Sequence, residues 1–293
     1  MVLPSRLMLA VPPKAVPADY RARAVRSKRV VADRLRSWSR APMLGAMKRL
    51  LLIVSFALGC SKSPAAIESP PMTTSADVLN TAQGRVEIVP IHHATLLLRW
   101  NGKAIFLDPV QDGNYDALPK ATHVLLTDIH PDHLDAAAID RVRTSATVLI
   151  GPQVVADKIP GVTVMRNGET RSVDGFTVEA VPMYNLQRGP APGKLYHDKG
   201  RGNGYVLTFG DKRVYVSGDT ECTPEMQALK NIDVAFLCMN LPYTMPPLEA
   251  AECVKAFRPA VVYPYHFRGS DPNEVKAALL AYPSIEVRIR TWY

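Results

Sequence analysis

The chain has 293 residues, enough for one large or two small domains, and its 47% hydrophobic content is that of a globular protein able to fold unaided. The net charge of +8 is local: residues 1–46 carry ten Lys/Arg against two Asp, and Lys48 and Arg49 follow, which leaves −2 for residues 60–293. A near-neutral body excludes a polyanion-binding function built on bulk charge, so no nucleic-acid partner is expected.

Residues 1–46 are rich in Arg, Pro and Ala without a sustained apolar period and read as an over-called start or a disordered arm. Met47-Lys48-Arg49, the apolar run Leu50 to Leu58 and Gly59-Cys60-Ser61 then follow the order of a secretory signal. The run is too short to span a bilayer, which needs roughly 20 residues. Ala57-Leu58-Gly59-Cys60 resembles a bacterial lipobox, so residues 47–60 read as a lipoprotein-type signal with Cys60 as the lipidation site. That places the protein at the bacterial cell envelope, facing the periplasm on a membrane anchor; without a working signal it would be cytoplasmic. Residues 61–84, rich in Ser, Pro, Ala and Thr over most of their length, read as a flexible tether, and residues 85–293 as the folded domain. Cys222, Cys238 and Cys253 show no CxxC spacing and suggest neither a disulfide framework nor a zinc ribbon; Cys238 and Cys253 read as small core residues.

Within the domain, apolar strand-like runs cover 86–90 and 95–100, and Asn101-Gly102 predicts a type I′ hairpin turn into a strand over 103–108. A strand over 122–127, a helix over 134–143, a strand over 147–150 and a short helix over 153–158 come next. Strands over 176–183, 205–209 and 213–217 lead into a helix over 223–230 and a strand over 234–238. A helix over 247–257, a strand over 260–263, a helix over 273–282 and a strand over 285–290 complete the chain. Strands first and then strands interleaved with helices, twice over, predict an α/β (α+β) fold built as a four-layer αββα sandwich. No internal repeat is legible from residue identity.

The chemistry concentrates in Thr127-Asp128-Ile129-His130-Pro131-Asp132-His133, directly after a strand. A turn at a strand end can converge several side chains on one point, and imidazole and carboxylate are ligands for borderline and hard divalent metals. Four such groups in six residues, with Pro131 stiffening the turn, point to a metal site rather than a solvated loop.

This run resembles the His-x-His-x-Asp-His signature of the metallo-β-lactamase superfamily. The resemblance extends over about residues 86–293 and is closest to the branch of ascorbate-phosphate-lactonase-like and N-acyl-phosphatidylethanolamine phospholipase D-like hydrolases. His93 in His92-His93-Ala94-Thr95 resembles that family's Gly-His-Ala-Ser segment. His197 resembles its third metal-binding segment, Asp219 in Ser217-Gly218-Asp219-Thr220 its bridging Asp, and His266 its final metal His. The first motif His of the family is Asp128 here. The resemblance implies two divalent ions, zinc with manganese or iron as alternatives, since a carboxylate is harder than imidazole. Asp128, His130 and His197 would hold one; Asp132, His133 and His266 the other; Asp219 would lie between. A water shared by two such ions becomes hydroxide near neutral pH and attacks a carbonyl or phosphorus, with Asp132 and His93 as catalytic groups.

The implied activity is hydrolysis of a small or lipid-like ester, lactone, amide or phosphodiester; the alternatives are a non-catalytic metal-binding lipoprotein and a nuclease. Tyr184, Asn185, Arg188 and Tyr243 lie in segments that could bind substrate. His92 points to the opposite strand face from His93 and reads as structural, as does His123. The Gly-rich run 199–204 lacks the GxxxxGK[ST] pattern and reads as a close turn that brings His197 in. Met245 and Pro246-Pro247 read as shaping the start of a helix.

Overall fold

The computed structural model describes residues 76–293. The arm, the signal-like segment with Cys60 and most of the tether lie outside them. Two seven-stranded sheets make the domain, each with its strands side by side in chain order. The first holds β1 (Asp77–Thr81), β2 (Gly84–His92), β3 (Thr95–Trp100), β4 (Lys103–Leu107), β5 (His123–Leu125), β6 (Val148–Gly151) and β7 (Val162–Val164). The second holds β8 (Thr170–Val173), β9 (Phe176–Met183), β10 (Gly202–Phe209), β11 (Lys212–Val216), β12 (Val234–Cys238), β13 (Val261–Tyr265) and β14 (Glu286–Val287).

Both sheets follow one plan. The first four strands pair antiparallel, β1 to β4 and β8 to β11. The last three add in parallel, β5 to β7 and β12 to β14. The repeat that residue identity hides is therefore present in the topology. Parallel neighbours need crossovers, and these carry the helices: α1 (Ala136–Val142) and α2 (Gln153–Ala156) in the first half, then α3 (Pro224–Gln227), α4 (Pro247–Phe257) and α5 (Asn273–Ala278).

Alternation along single strands shows the layers. In β3 and β4, Leu96, Leu98, Ile105 and Leu107 join the large cluster with Val178, Tyr205 and Leu207 of the second sheet. Leu97 and Phe106, pointing the other way, pack with Ile139 and Val142 of α1. Both faces are covered, which is why these strands read as unbroken apolar runs. Ala250, Val254 and Val275 of α4 and α5 join the large cluster from the second sheet's side. The result is the four-layer αββα sandwich.

Several boundaries differ from the sequence reading. β1 falls inside the span assigned to the tether: Asp77–Thr81 pairs with Gly84–Ile88, and the Asp77 carboxylate takes a two-pronged bond from Arg290, Nε to Oδ2 at 2.7 Å and Nη2 to Oδ1 at 2.8 Å. The folded unit thus begins before residue 85, its first strand held by a residue 213 positions away. α1 begins at Ala136 because Asp135 caps it, accepting from the amides of Ala137 and Ala138. β7 alternates over only three residues, Val162-Thr163-Val164, and β8 carries no apolar alternation, so neither is legible in sequence. Asn101 and Gly102 both have positive φ, 46° and 75°, as a type I′ turn requires.

The Gly-rich run is partly strand rather than turn. Gly202 opens β10, and a Cβ on it would come 2.8 Å from the Thr127 carbonyl. The missing side chain lets Asn203 N–H donate to Thr127 O at 2.9 Å, joining β10 to the Asp128–His133 turn of the opposite sheet. Tyr205 adds a bond from its hydroxyl to Leu126 O at 2.7 Å.

Cys222 and Cys253 form a disulfide, contrary to the reading of Cys253 as a free core residue. Their separation of 31 residues gives no spacing signal; the β11–β12–α4 crossover brings them together. The bridge ties the segment just after Asp219 to α4. Cys238 is buried and free, its thiol pushed up to about 12 by burial. Closing a loop of this length limits the unfolded chain, so reduction or Cys253→Ala should lower unfolding free energy by about 3–4 kcal/mol. Urea unfolding with and without reductant measures this; coincident transitions would contradict it.

Candidate metal centre

The loops at the carboxyl ends of the parallel strands bring the reactive residues to one end of the sandwich, where open sheets place ligand sites. Asp108 follows β4, the Asp128–His133 turn follows β5, Asp219 follows β11 and His266 follows β13. His93, from the β2–β3 turn, completes the ring. His93, Asp108 and His266 all adopt left-handed backbone, with φ of 54°, 43° and 46°. Such conformations cost energy and are held by their surroundings: His93 N–H donates to Trp292 O at 2.9 Å, and His266 N–H to His93 O at 3.2 Å.

Three sets of donor atoms result, the last two sharing His266: Asp128, His130 and His197; His133, Asp219 and His266; His93, Asp132 and His266. The buried Asp219 stands at the join. Its Oδ2 is 3.4 Å from Nε2 of both His133 and His197, and its Oδ1 is 3.6 Å from His266 Nε2. Asp132 lies 3.3 Å from His266 Nε2 and 4.0 Å from His133 Nε2, so its nearest partners are His266 and His93. In the first set, His130 Nδ1 is 2.9 Å from Asp128 Oδ2 and 3.2 Å from His197 Nε2.

Three of the imidazoles, His133, His197 and His93, are oriented from behind, as metal-binding imidazoles need. The fully buried Asp108 carboxylate faces His133 Nδ1 at 2.8 Å and accepts from the Thr127 amide at 2.8 Å and hydroxyl at 2.5 Å. A carboxylate only accepts, so His133 Nδ1 carries the proton and Nε2 faces Asp219. His197 Nδ1 is 2.7 Å from Asn185 Oδ1. The Asn185 amide is oriented by its own donations to Glu221 Oε1 at 3.0 Å and Tyr243 O at 2.9 Å. At His93, Phe267 N–H donates to the Tyr293 hydroxyl at 3.0 Å, which donates to His93 Nδ1 at 2.8 Å. His93 Nε2–H then faces Asp132 at 3.1 Å.

These residues fit divalent ions on a structural observation. Among the described residues, His133 Nε2, His266 Nε2 and Asp219 Oδ1 are buried without a hydrogen-bond partner although they face one another. Buried polar atoms left without partners are costly unless something absent from a protein-only description satisfies them. Electrostatics agrees. Burial opposes ionisation of Asp219, but the nearby His266 and His133 outweigh it and hold its carboxyl well below the usual range. Burial disfavours charge on His133, yet Asp219 and Asp108 raise its pKa well above the ordinary value. Asp128 falls to about 2, since the His130 hydrogen bond and the His133 and Arg201 charges outweigh burial. His93 falls to about 4, chiefly through burial, and is neutral at physiological pH.

Part of the site lines a cleft of about 910 Å³. Its floor holds His93, His130, Asp132, His197 and Asp219; Tyr196, Leu241, Pro242 and Tyr243 form a wall, and Asp112, Asp135 and Arg268 bring charge. Of the residues proposed to contact substrate, only Tyr243 lines this cleft, half-exposed and edge-on to Tyr196 at 5.0 Å. Tyr184 is buried and donates to Glu225 at 2.9 Å, and Asn185 is buried behind His197. Arg188 is held by Glu221 and Glu249. These three face inward because β9 continues into buried backbone pairing, Asn185 N–H to His197 O at 2.9 Å. His92 does line the cleft, because the register shift between Pro90 and His92 breaks strict alternation. His123 stays structural, buried 3.1 Å from Asp174. Asp108, Arg201 and Tyr293 escaped the sequence reading; only Asp108, an acid directly after an apolar strand, left a local signal.

The β-lactamase superfamily domain matches residues 87–266. The chain belongs to the metallo-β-lactamase superfamily. A UPF0173 metal-dependent hydrolase from Pelotomaculum thermopropionicum is 30% identical over 223 residues, covering 70% of this chain and 96% of its own. A crystal structure of a protein from Parabacteroides distasonis is 42% identical at a TM-score of 0.69, covering 73% of this chain and 97% of that one. The metallo-hydrolase Igni18 from Ignicoccus hospitalis, at 24% identity and a TM-score of 0.58, shares the fold. This metallo-β-lactamase-fold protein is a metal-dependent hydrolase.

Because Asp219 and Asp108 hold the His133 pKa well above its ordinary value while Asp219 stays ionised, a metal must displace a proton to reach Nε2. Uptake of zinc should therefore release about one proton near neutral pH and weaken as pH falls. Calorimetric titration in two buffers of different ionisation enthalpy checks this; a buffer-independent heat would contradict it.

Proposed function

We propose that this hydrolase uses two divalent ions, zinc with manganese or iron as alternatives, to cleave a small or lipid-like ester, lactone, amide or phosphodiester. The observation that carries the reading is the group of orphaned donor atoms on His133, His266 and Asp219, of which Asp219 lines the cleft and the two imidazoles lie buried behind it. Apart from His93, four imidazoles and three carboxylates form a mixed nitrogen and oxygen set suited to these metals. Asp128, His130 and His197 would hold one ion and His133 and His266 the other, with Asp219 between and Asp132 beside the second. When bound, such ions activate water near neutral pH and take up charge from the developing oxyanion.

The chain's own groups divide the remaining work. Asp132 lies against His266 and His93, half-exposed at the cleft floor, where it can accept a hydrogen bond from the attacking water. His93, neutral and donating through Nε2 to Asp132, keeps that carboxylate oriented and ionised. The wall of Tyr196, Leu241, Pro242 and Tyr243 suits an apolar portion of the substrate. Acidic residues at the cleft and a body charge of −2 speak against nucleic acid.

Asp219→Ala should lose both bound metal, by elemental analysis, and hydrolysis across a panel of lactones, esters and phosphodiesters. Full metal content in that variant would refute the assignment of Asp219. Envelope localisation through a lipid on Cys60 belongs to the same proposal. The Cys222–Cys253 disulfide supports it, because structural disulfides belong to oxidising compartments. Radiolabelled palmitate should enter the wild type and not Cys60→Ala; equal labelling would sink the anchor.

A further inference from the structure

Asp128 departs from its superfamily's pattern by placing a carboxylate where an imidazole is expected. Its side chain is fully buried, so the substitution adds a negative charge where solvent cannot screen it. Arg201 answers that charge. Its Nε donates to Asp128 Oδ1 at 3.1 Å and its Nη2 to Oδ2 at 2.8 Å, a two-pronged bond that fixes the carboxylate plane. Asp128 Oδ2 still lies 2.9 Å from His130 Nδ1 and 3.7 Å from His197 Nε2, so the fork leaves it among the other donors of its set.

The local backbone delivers Arg201 to this place. Arg201 N–H closes a turn onto Asp198 O at 3.2 Å, with Gly200 at a positive φ of 86°. Gly202, next in the chain, has no Cβ to meet the Thr127 carbonyl and so lets β10 approach the Asp128 turn.

We propose that Arg201 is a positioning residue that makes Asp128 a working metal ligand. The pair carries no net charge, like the neutral imidazole it replaces, while presenting a harder oxygen donor. Arg201 therefore sets the occupancy of the Asp128–His130–His197 site. This rests on the dinuclear reading given above.

The test uses the full chain, zinc alone as probe, elemental analysis after dialysis and competition with a chromogenic chelator. Wild type should hold about two equivalents. Arg201→Gln should weaken the second zinc by at least tenfold, the range expected when the group orienting a ligand is lost. Asp128→His should weaken it as well, because an imidazole then faces an unpaired guanidinium. The double variant, with neutral groups at both positions, should regain affinity toward wild type. A merely structural role predicts a double variant no better than the worse single, and that result would overturn the proposal. So would wild-type affinity for both zincs in Arg201→Gln. Should Arg201→Gln unfold, Arg201→Lys, which keeps the charge and loses the fork, must lower second-zinc affinity; unchanged affinity would overturn the proposal. Wild type without tightly bound zinc would instead overturn the dinuclear reading itself.

Discussion

A buried carboxylate surrounded by imidazoles is the constraint on which the rest of this structure depends. Asp219 lies almost out of reach of solvent and within 3.6 Å of His133, His197 and His266. An ionised carboxylate in such a place is tolerable only with compensating positive charge. The imidazoles come from both sheets, so meeting that requirement closes one end of the sandwich. The backbone yields to it: His93, Asp108 and His266 sit in left-handed conformations held by bonds to Trp292, Leu125 and His93.

Behind the reactive atoms, four functional side chains are oriented by four different devices. Asp108 holds His133, Asn185 holds His197, Tyr293 holds His93 and Arg201 holds Asp128. Preorganisation of this kind removes the need to order the groups when a metal or substrate arrives. The Cys222–Cys253 bridge extends the same logic outward, fixing the segment after Asp219 to α4. The cleft above the site owes its apolar wall to the segment between β12 and α4.

The layered fold was legible because its signals are local or periodic. Apolar runs over β3, β4 and β12 mark strands covered on both faces, Asn101-Gly102 announces its turn, and Asp128 to His133 concentrates four donor groups in six residues. In β7 the alternation spans only three residues and in β8 there is none, and β1 is joined to the domain by an arginine over two hundred residues away. The supporting partners follow the same rule. Tyr293 reaches His93 across 200 residues and Arg201 reaches Asp128 across 73, distances at which neither spacing nor propensity carries information. Tyr184 and Asn185 show the converse: a segment near the cleft in sequence turns its side chains inward once β9 and the His197 segment pair. The disulfide was hidden because its partners meet only through a crossover.

Metal binding between the two sheets, on atoms that the protein itself leaves without partners, can be observed in a crystal. Anomalous diffraction from crystals of the zinc-loaded protein, collected on both sides of the zinc absorption edge, tests it most directly. One peak is expected within bonding distance of His133 Nε2, His266 Nε2 and Asp219, and a second beside Asp128, His130 and His197. Peaks confined to surface carboxylates, or none in the cleft, would contradict it.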